Sequence, residues 1–264
     1  MNFYFYSPVH FEKWDFRNSV EKGIGGSETS HVEMTWRLAR RGHKVISYAP
    51  IPKDCPKEWR GTIWKSLSAA NFDAPGIWVL YRCPDKLDKF SKNHPYQQIW
   101  LMMQDESYPT WTKERAEKVD KVLALCPQHL KSTIKRTPYL KGKVFQTSNG
   151  VKMELIRQVE KSKITRNPKK LIYASSPDRG LANLLKIFKR AREYDPKLEL
   201  HVFYGFDNIN KLIKYQRKFS FFKQTKEEIL GLLKQPNVYF RGRVSQVRLY
   251  KEWLSAGIWC YPTN

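Results

Sequence analysis

Short apolar runs alternate with longer amphipathic stretches along the 264 residues. Residues 3–7 (FYFYS), 43–50 (HKVISYAP), 76–82, 97–103, 121–126 and 143–149 are apolar at nearly every position. Such runs predict strands covered on both faces. Residues 27–42 (SETSHVEMTWRLARRG) place Val32, Trp36 and Ala39 near one helical face, and Gly42 stops them. Strands alternating with helices predict a parallel sheet with crossover helices. Residues 152–170 break the rhythm. They are basic, poor in apolar side chains and closed by Asn-Pro, and read as a linker with a short helix. The rhythm restarts with strands at 170–176 (KLIYASS), 198–205, 237–242 and 258–263 (IWCYPT), with helices at 179–194, 208–234 and 245–257. Leu181, Leu184, Leu185 and Phe188 mark the apolar side of the helix at 179–194. The expected architecture is α/β, with two doubly wound Rossmann-like domains at 1–165 and 166–264. The second, with roughly four strands against the usual six or so, is incomplete.

Composition narrows the class. Hydrophobic content of 41% and a mean hydropathy of −0.63 fit a globular chain with a core. No run of 18 apolar residues predicts a membrane span. The start, MNFYFYSPVH, lacks a basic head, a long apolar middle and a small-residue cleavage site, so no signal peptide is expected. Cys55, Cys83, Cys126 and Cys260 are far apart and form no CxxC pair, which speaks against a zinc site or disulfide framework and for a reduced, cytoplasmic setting. Lys+Arg 48 against Asp+Glu 25 gives a net charge of +23, which favours polyanionic partners without choosing among them.

Candidate chemistry sits where strands give way to helices. In KGIGGSETS (22–30), Gly25 and Gly26 precede a helix whose first N–H groups are unpaired and carry partial positive charge. Glycines there let an anion approach the backbone, and Ser27 can bond a phosphate oxygen or cap the helix. The plainer alternative is a flexible loop with an ordinary cap. SSPDRGL (175–181) holds the same place in the second domain: Ser175 and Ser176 offer hydroxyls, and Arg179 a forked cation suited to a diphosphate. It can equally be a polar turn. Asn149-Gly150 follows a strand as a turn would. Asp105 and Glu106 are adjacent acids at the carboxyl end of a strand, where ligands of open α/β sheets bind, though a solvated loop is the commoner fate of such a pair.

Taken together and in order, GIGGSE, RGHKV, SNGV, SSPDRGL and GRVSQVRLYKEWLSAGIWCYPT resemble the retaining glycosyltransferases of the GT-B fold, and within them the large group 1 (family 4) enzymes. The resemblance implies two Rossmann-like domains facing across a cleft, the second holding a UDP- or GDP-linked sugar as donor substrate, with no other cofactor and no metal. It implies that Arg179 binds the donor diphosphate, with Ser175 and Ser176 beside it. Gly25, Gly26 and Ser27 would approach that diphosphate from the first domain. Arg243 and Val244 match the segment that contacts the base, and Asn149 and Gly150 the segment lining the cleft. Asp105 and Glu106 are the positional candidates for catalysis. The acceptor would be a saccharide, glycoprotein or lipid-linked molecule, and the basic surface suits peripheral contact with an anionic membrane.

Three departures stand out. Ser175 and Ser176 occupy a place where relatives often carry arginine, and Gln104 one where many carry histidine. The chain ends at Asn264, where relatives continue with a Glu-x7-Glu segment that reaches sugar and ribose. The resemblance therefore implies a C-terminally truncated chain with weak or no activity of its own. Two alternatives compete: a non-catalytic nucleotide-binding fragment, and a basic nucleic-acid-binding α/β protein. No recognised nucleic-acid-binding motif supports the latter.

Overall fold

The computed structural model describes residues 1–8, 12–21, 23–91, 94–215 and 219–262. Thr263, Asn264 and the middle of the helix expected at 208–234 lie outside them. The chain divides into two compact units, Met1–Ser19 with Ile24–Val151, and Val20–Gly23 with Lys152–Asn264.

The first unit contains β1 (Asn2–Tyr6), α2 (Gly26–Arg40), β2 (Lys44–Ala49), β3 (Glu58–Trp59), β4 (Thr62–Ser66), β5 (Gly76–Tyr81), β6 (Gln97–Met102), α3 (Lys113–Lys118), β7 (Lys121–Ala124), α4 (Pro127–Arg136) and β8 (Val144–Gln146). A short α1 (Asn18–Glu21) precedes α2. The eight strands form one sheet in the order β3-β4-β2-β1-β5-β6-β7-β8, parallel except for the β3–β4 pair. The β3–β4 hairpin was not expected from sequence. Its turn, Arg60-Gly61, has positive φ at both residues, the backbone that joins two strands tightly.

Alternation along the strands explains the buried runs. Tyr4, Tyr6, Ile46, Tyr48, Trp78, Leu80, Ile99 and Leu101 point to one core. Phe3, Phe5, Val45, Val79, Tyr81 and Met102 point to the other, where Leu38 and Ala39 of α2 cover them. Both faces are thus dry, as parallel sheets require. The face under α2 also buries His31, which is fully inaccessible and pairs with Ser47 Oγ at 2.7 Å. Its Nδ1 has no hydrogen-bond partner, and Phe5, Trp14, Trp64 and Tyr81 ring it. Burial pulls its pKa down to about 3. The unfolded chain binds a proton there near pH 6.5 and the folded chain does not. Stability should therefore fall as pH drops from 6.5 toward 3, at up to ~1.4 kcal/mol per pH unit. Urea midpoints from pH 7 to 4 should show this slope and a flatter one in His31→Phe. Parallel profiles for the two proteins would contradict a neutral buried imidazole.

The second unit contains α5 (Met153–Glu160), β9 (Asn167–Ala174), α6 (Leu181–Tyr194), β10 (Glu199–Phe203), α7 (Asp207–Tyr215), α8 (Phe219–Leu232), β11 (Val238–Gly242), α9 (Gln246–Ser255) and β12 (Ala256–Trp259). Its sheet is parallel throughout, in the order β11-β10-β9-β12. Leu181, Leu184, Leu185 and Phe188 stand on one face of α6 and pack with Ile229 of α8 on Tyr173, Leu200 and Val202. On the opposite face, Leu249 and Trp253 of α9 cover Ile172, Phe203 and Ala256. Where one helix was expected at 208–234, there are α7 and α8. The last strand starts two residues earlier than read from IWCYPT and follows α9 without a loop. Gly257 permits this, since a Cβ there would collide with the Pro168 backbone of β9.

Candidate functional site

In an open α/β sheet, ligands bind at the carboxyl ends of the strands where the strand order reverses. Each sheet has such a point. In the first unit it lies between β1 and β5, and in the second between β9 and β12.

At the first point, α2 opens with Gly25 as its cap residue, without a side-chain cap. Ser27 stands inside the first turn, so it does not cap the helix as one reading of the sequence had it. Glu28, three residues past the cap, folds its carboxylate back over Gly25, and a Cβ on Gly25 would collide with Glu28 Oε2. The helix start is therefore partly met by its own acid. Burial raises the Glu28 pKa, opposed by its own backbone N–H and by Arg82, and assisted by Glu12 and Asp105.

Arg82, just past β5, has φ +61 and donates from Nε to Asp105 Oδ2 at 2.7 Å. The N–H groups of Gln104 and Asp105 both donate to the Tyr108 hydroxyl, at 3.0 and 3.1 Å. Burial pushes that phenol up to about 12. The Gln104 and Asn149 amides pair reciprocally at 3.2 Å, which ties the segment after β8 to the end of β6. Gly150 beside it is exposed and has open space around it. Asp105 and Glu106 do not form a carboxylate pair. Glu106 turns to α4, where it accepts from Arg136 at 2.6 Å and Ser132 at 3.3 Å.

At the second point, β9 runs into a tight turn at Ser175–Gly180. The Tyr173 phenol sits 2.7 Å from the Ser176 carbonyl and 3.0 Å from that of Arg179, and shares its proton between them. Ser176 Oγ donates to Asp178. Gly180, at φ +84, caps α6 in a backbone shape that favours glycine. This turn leaves Arg179 exposed, with its guanidinium paired to the Tyr261 phenol just past β12, which holds its pKa up. Arg179 and Tyr261 thus come from the two sides of the reversal. At the end of β10, Tyr204 has φ +97, and such a bulky residue costs on the order of 1–3 kcal/mol in strain. The Arg243 guanidinium lies 5.6 Å from the Tyr204 ring, and its Nε 3.6 Å from Asp207 Oδ2. Val244 packs against the core of Ile172, Phe203 and Ala256. Sequence reading left open whether Glu28 faces the acceptor side or caps the helix, and it missed Arg82, Tyr204 and Tyr261. Among the described residues, no group of three or more His, Cys, Asp or Glu side chains could hold a metal ion. No helix of the described residues is long and apolar enough to cross a membrane.

Two parallel sheets, each with a polar cluster at its reversal point, define a doubly wound α/β protein of the GT-B type. Over 99% of its length the chain matches Anabaena HepE in complex with UDP and glucose, at TM-score 0.61 and 10% identity, covering 74% of that chain. It matches the α,α-trehalose 6-phosphate synthase of Burkholderia multivorans equally widely, over 99% of its own length and 76% of that chain, at TM-score 0.60 and 12% identity. A TarM mutant from S. aureus, in complex with fondaparinux, α-GlcNAc-glycerol and UDP, matches 63% of the chain at TM-score 0.42 and 15% identity. The match spans about a third (32%) of that structure's length. No family model matches the sequence, and no curated protein does.

Proposed function

We propose that the chain acts in glycosyl transfer from a nucleotide-diphosphate sugar, with the second unit as donor site. The observation that carries this is the reversal point of the second sheet, flanked by Arg179 ahead of α6 and Tyr261 just past β12, in a fold shared with a protein that holds UDP and glucose. Arg179 is a fork that can grip two phosphate oxygens, and α6 begins two residues later, after its Gly180 cap. Both stabilise negative charge on the departing diphosphate, which is the electrostatic work a metal performs elsewhere. Ser175, Ser176, Arg243 and Val244 complete the nucleotide side, Val244 through its backbone, since its side chain faces the core.

On the acceptor side we assign Gly25, Gly26, Ser27, Asn149 and Gly150 to the walls. Asp105 and Glu28, both in the field of Arg82, are the carboxylates suited to take the acceptor proton, whereas Glu106 is engaged by Arg136. Transfer proceeds with retention, the hydroxyl attacking on the face the diphosphate leaves, without a metal. The acceptor is a saccharide, glycoprotein or lipid-linked molecule. The +23 charge suits a cytoplasmic protein working at an anionic membrane surface.

The test is a thermal-shift panel of UDP, GDP, ADP and their sugar conjugates. A nucleotide present at 100 times its Kd should stabilise the chain by ~2.7 kcal/mol. No shift with any of them would remove the donor site and the reading with it.

A further inference from the structure

Past the carboxyl end of each strand of the second sheet stands one large polar side chain, close to the strand or, for β9, in the turn before α6. Read in spatial order across β11, β10, β9 and β12, they are Arg243, Tyr204, Arg179 and Tyr261. Cations and phenols alternate. Arg243 lies against the Tyr204 ring at 5.6 Å, and β10, which leads into Tyr204, lies between β11 and the β9 strand that leads to Arg179. Adjacent strands lie ~4.8 Å apart, so the ends of β9 and β11 stand roughly 10 Å from each other with β10 between them. Two long arginine side chains can close that span around one ligand.

Tyr204 is the residue this row depends on, and its backbone is strained at φ +97. The strand before it shifts register against β11 between Val202 and Phe203, and the Tyr204 N–H donates to the Gly242 carbonyl at 3.0 Å. Glycine would meet the same φ without strain, as Gly242 does at φ +65 at the end of the neighbouring strand. A bulky ring kept at such a position is a mark of function over stability.

We propose that Tyr204 is a specificity-determining positioning residue: its ring holds Arg243 at the strand end next to the turn that carries Arg179, so that one guanidinium meets each phosphoryl group of a nucleoside diphosphate. This rests on the donor-site reading above and deepens it. It gives Arg243 a phosphate in place of the base contact that the family resemblance implies. A nucleoside monophosphate engages only one guanidinium and binds more weakly.

Affinities of UDP against UMP, and of GDP against GMP, should be measured calorimetrically on the whole chain. For the base that binds, the wild-type chain should prefer diphosphate at least tenfold. In Tyr204→Gly that preference should shrink to about threefold or less while Tm rises. Tyr204→Phe should keep the preference, and Arg243→Gln should lose it without a gain in Tm. A merely structural Tyr204 would change Tm and leave the ratio alone. A Tyr204→Gly chain that keeps the tenfold ratio overturns the proposal and leaves the donor site standing. A wild-type chain that binds nucleotide without preferring diphosphate overturns it too. A wild-type chain that binds no nucleotide overturns both.

Discussion

Replacing Arg179 by alanine is expected to remove nearly all stabilisation of the chain by nucleoside diphosphates. Truncating one partner of a hydrogen-bonded charge pair costs ~2–5 kcal/mol of binding, or roughly 30- to several-thousand-fold in Kd. At a concentration that stabilises the wild type by ~2.7 kcal/mol, the variant should gain less than about 1 kcal/mol. The free variant should unfold within ~0.5 kcal/mol of the wild type, because Arg179 is exposed and its removal opens no cavity. Arg179→Lys should fall between the two, keeping charge and losing the fork. Thermal shifts with and without UDP or GDP decide this. A full shift in Arg179→Ala would move the donor site elsewhere.

The largest expected loss of stability comes from Trp78→Ala. Trp78 is fully buried in the centre of β5. Its ring stacks on Tyr4 at 4.7 Å, Phe72 at 5.2 Å and Tyr48 at 5.7 Å, with Phe90 edge-on at 5.4 Å. Its indole N–H donates to the Ala74 carbonyl at 3.1 Å. Removing it leaves a cavity among four rings, while the Ala74 carbonyl keeps its hydrogen bond from Gln97 Nε2 at 3.2 Å. The cost is ~3–5 kcal/mol. That is a large share of a domain's total of about 5–15 kcal/mol. Trp78→Phe should cost less, since the ring stack survives. Urea unfolding measures both. A Trp78→Ala chain within 1 kcal/mol of wild type would mean that this face is not packed around the indole.

The sheet was legible because its strands are apolar on both faces. FYFYS sends Phe3 and Phe5 to one core and Tyr4 and Tyr6 to the other, and no loop has that composition. The hairpin was not legible. Glu58–Trp59 is too short to show a period, and its fixing signal is the positive φ at Arg60, which arginine does not advertise. At the candidate sites, Gly25 and Arg179 could be singled out because each stands just ahead of an amphipathic helix, though a plain loop or turn explains the same residues. Tyr204 and Tyr261 could not. A tyrosine at the end of an apolar run reads as core, and only strand order puts both at a ligand-binding edge. The role of Glu28 could not be chosen from sequence for a different reason: whether a helix start is open or met by its own acid depends on one rotamer.

The placement of β1 in the middle of its sheet also bears on how the chain is made. Phe3 pairs with Val45 on one side and Ile77 on the other. About 75 residues therefore leave the ribosome between β1 and its second neighbour, roughly 4–15 s at ordinary synthesis rates. Through that interval a strand of four aromatic residues has at most one flank covered. The nascent first unit then depends on chaperones or on speed, and slowing translation between β2 and β5 should lower the soluble yield more than slowing it after β6.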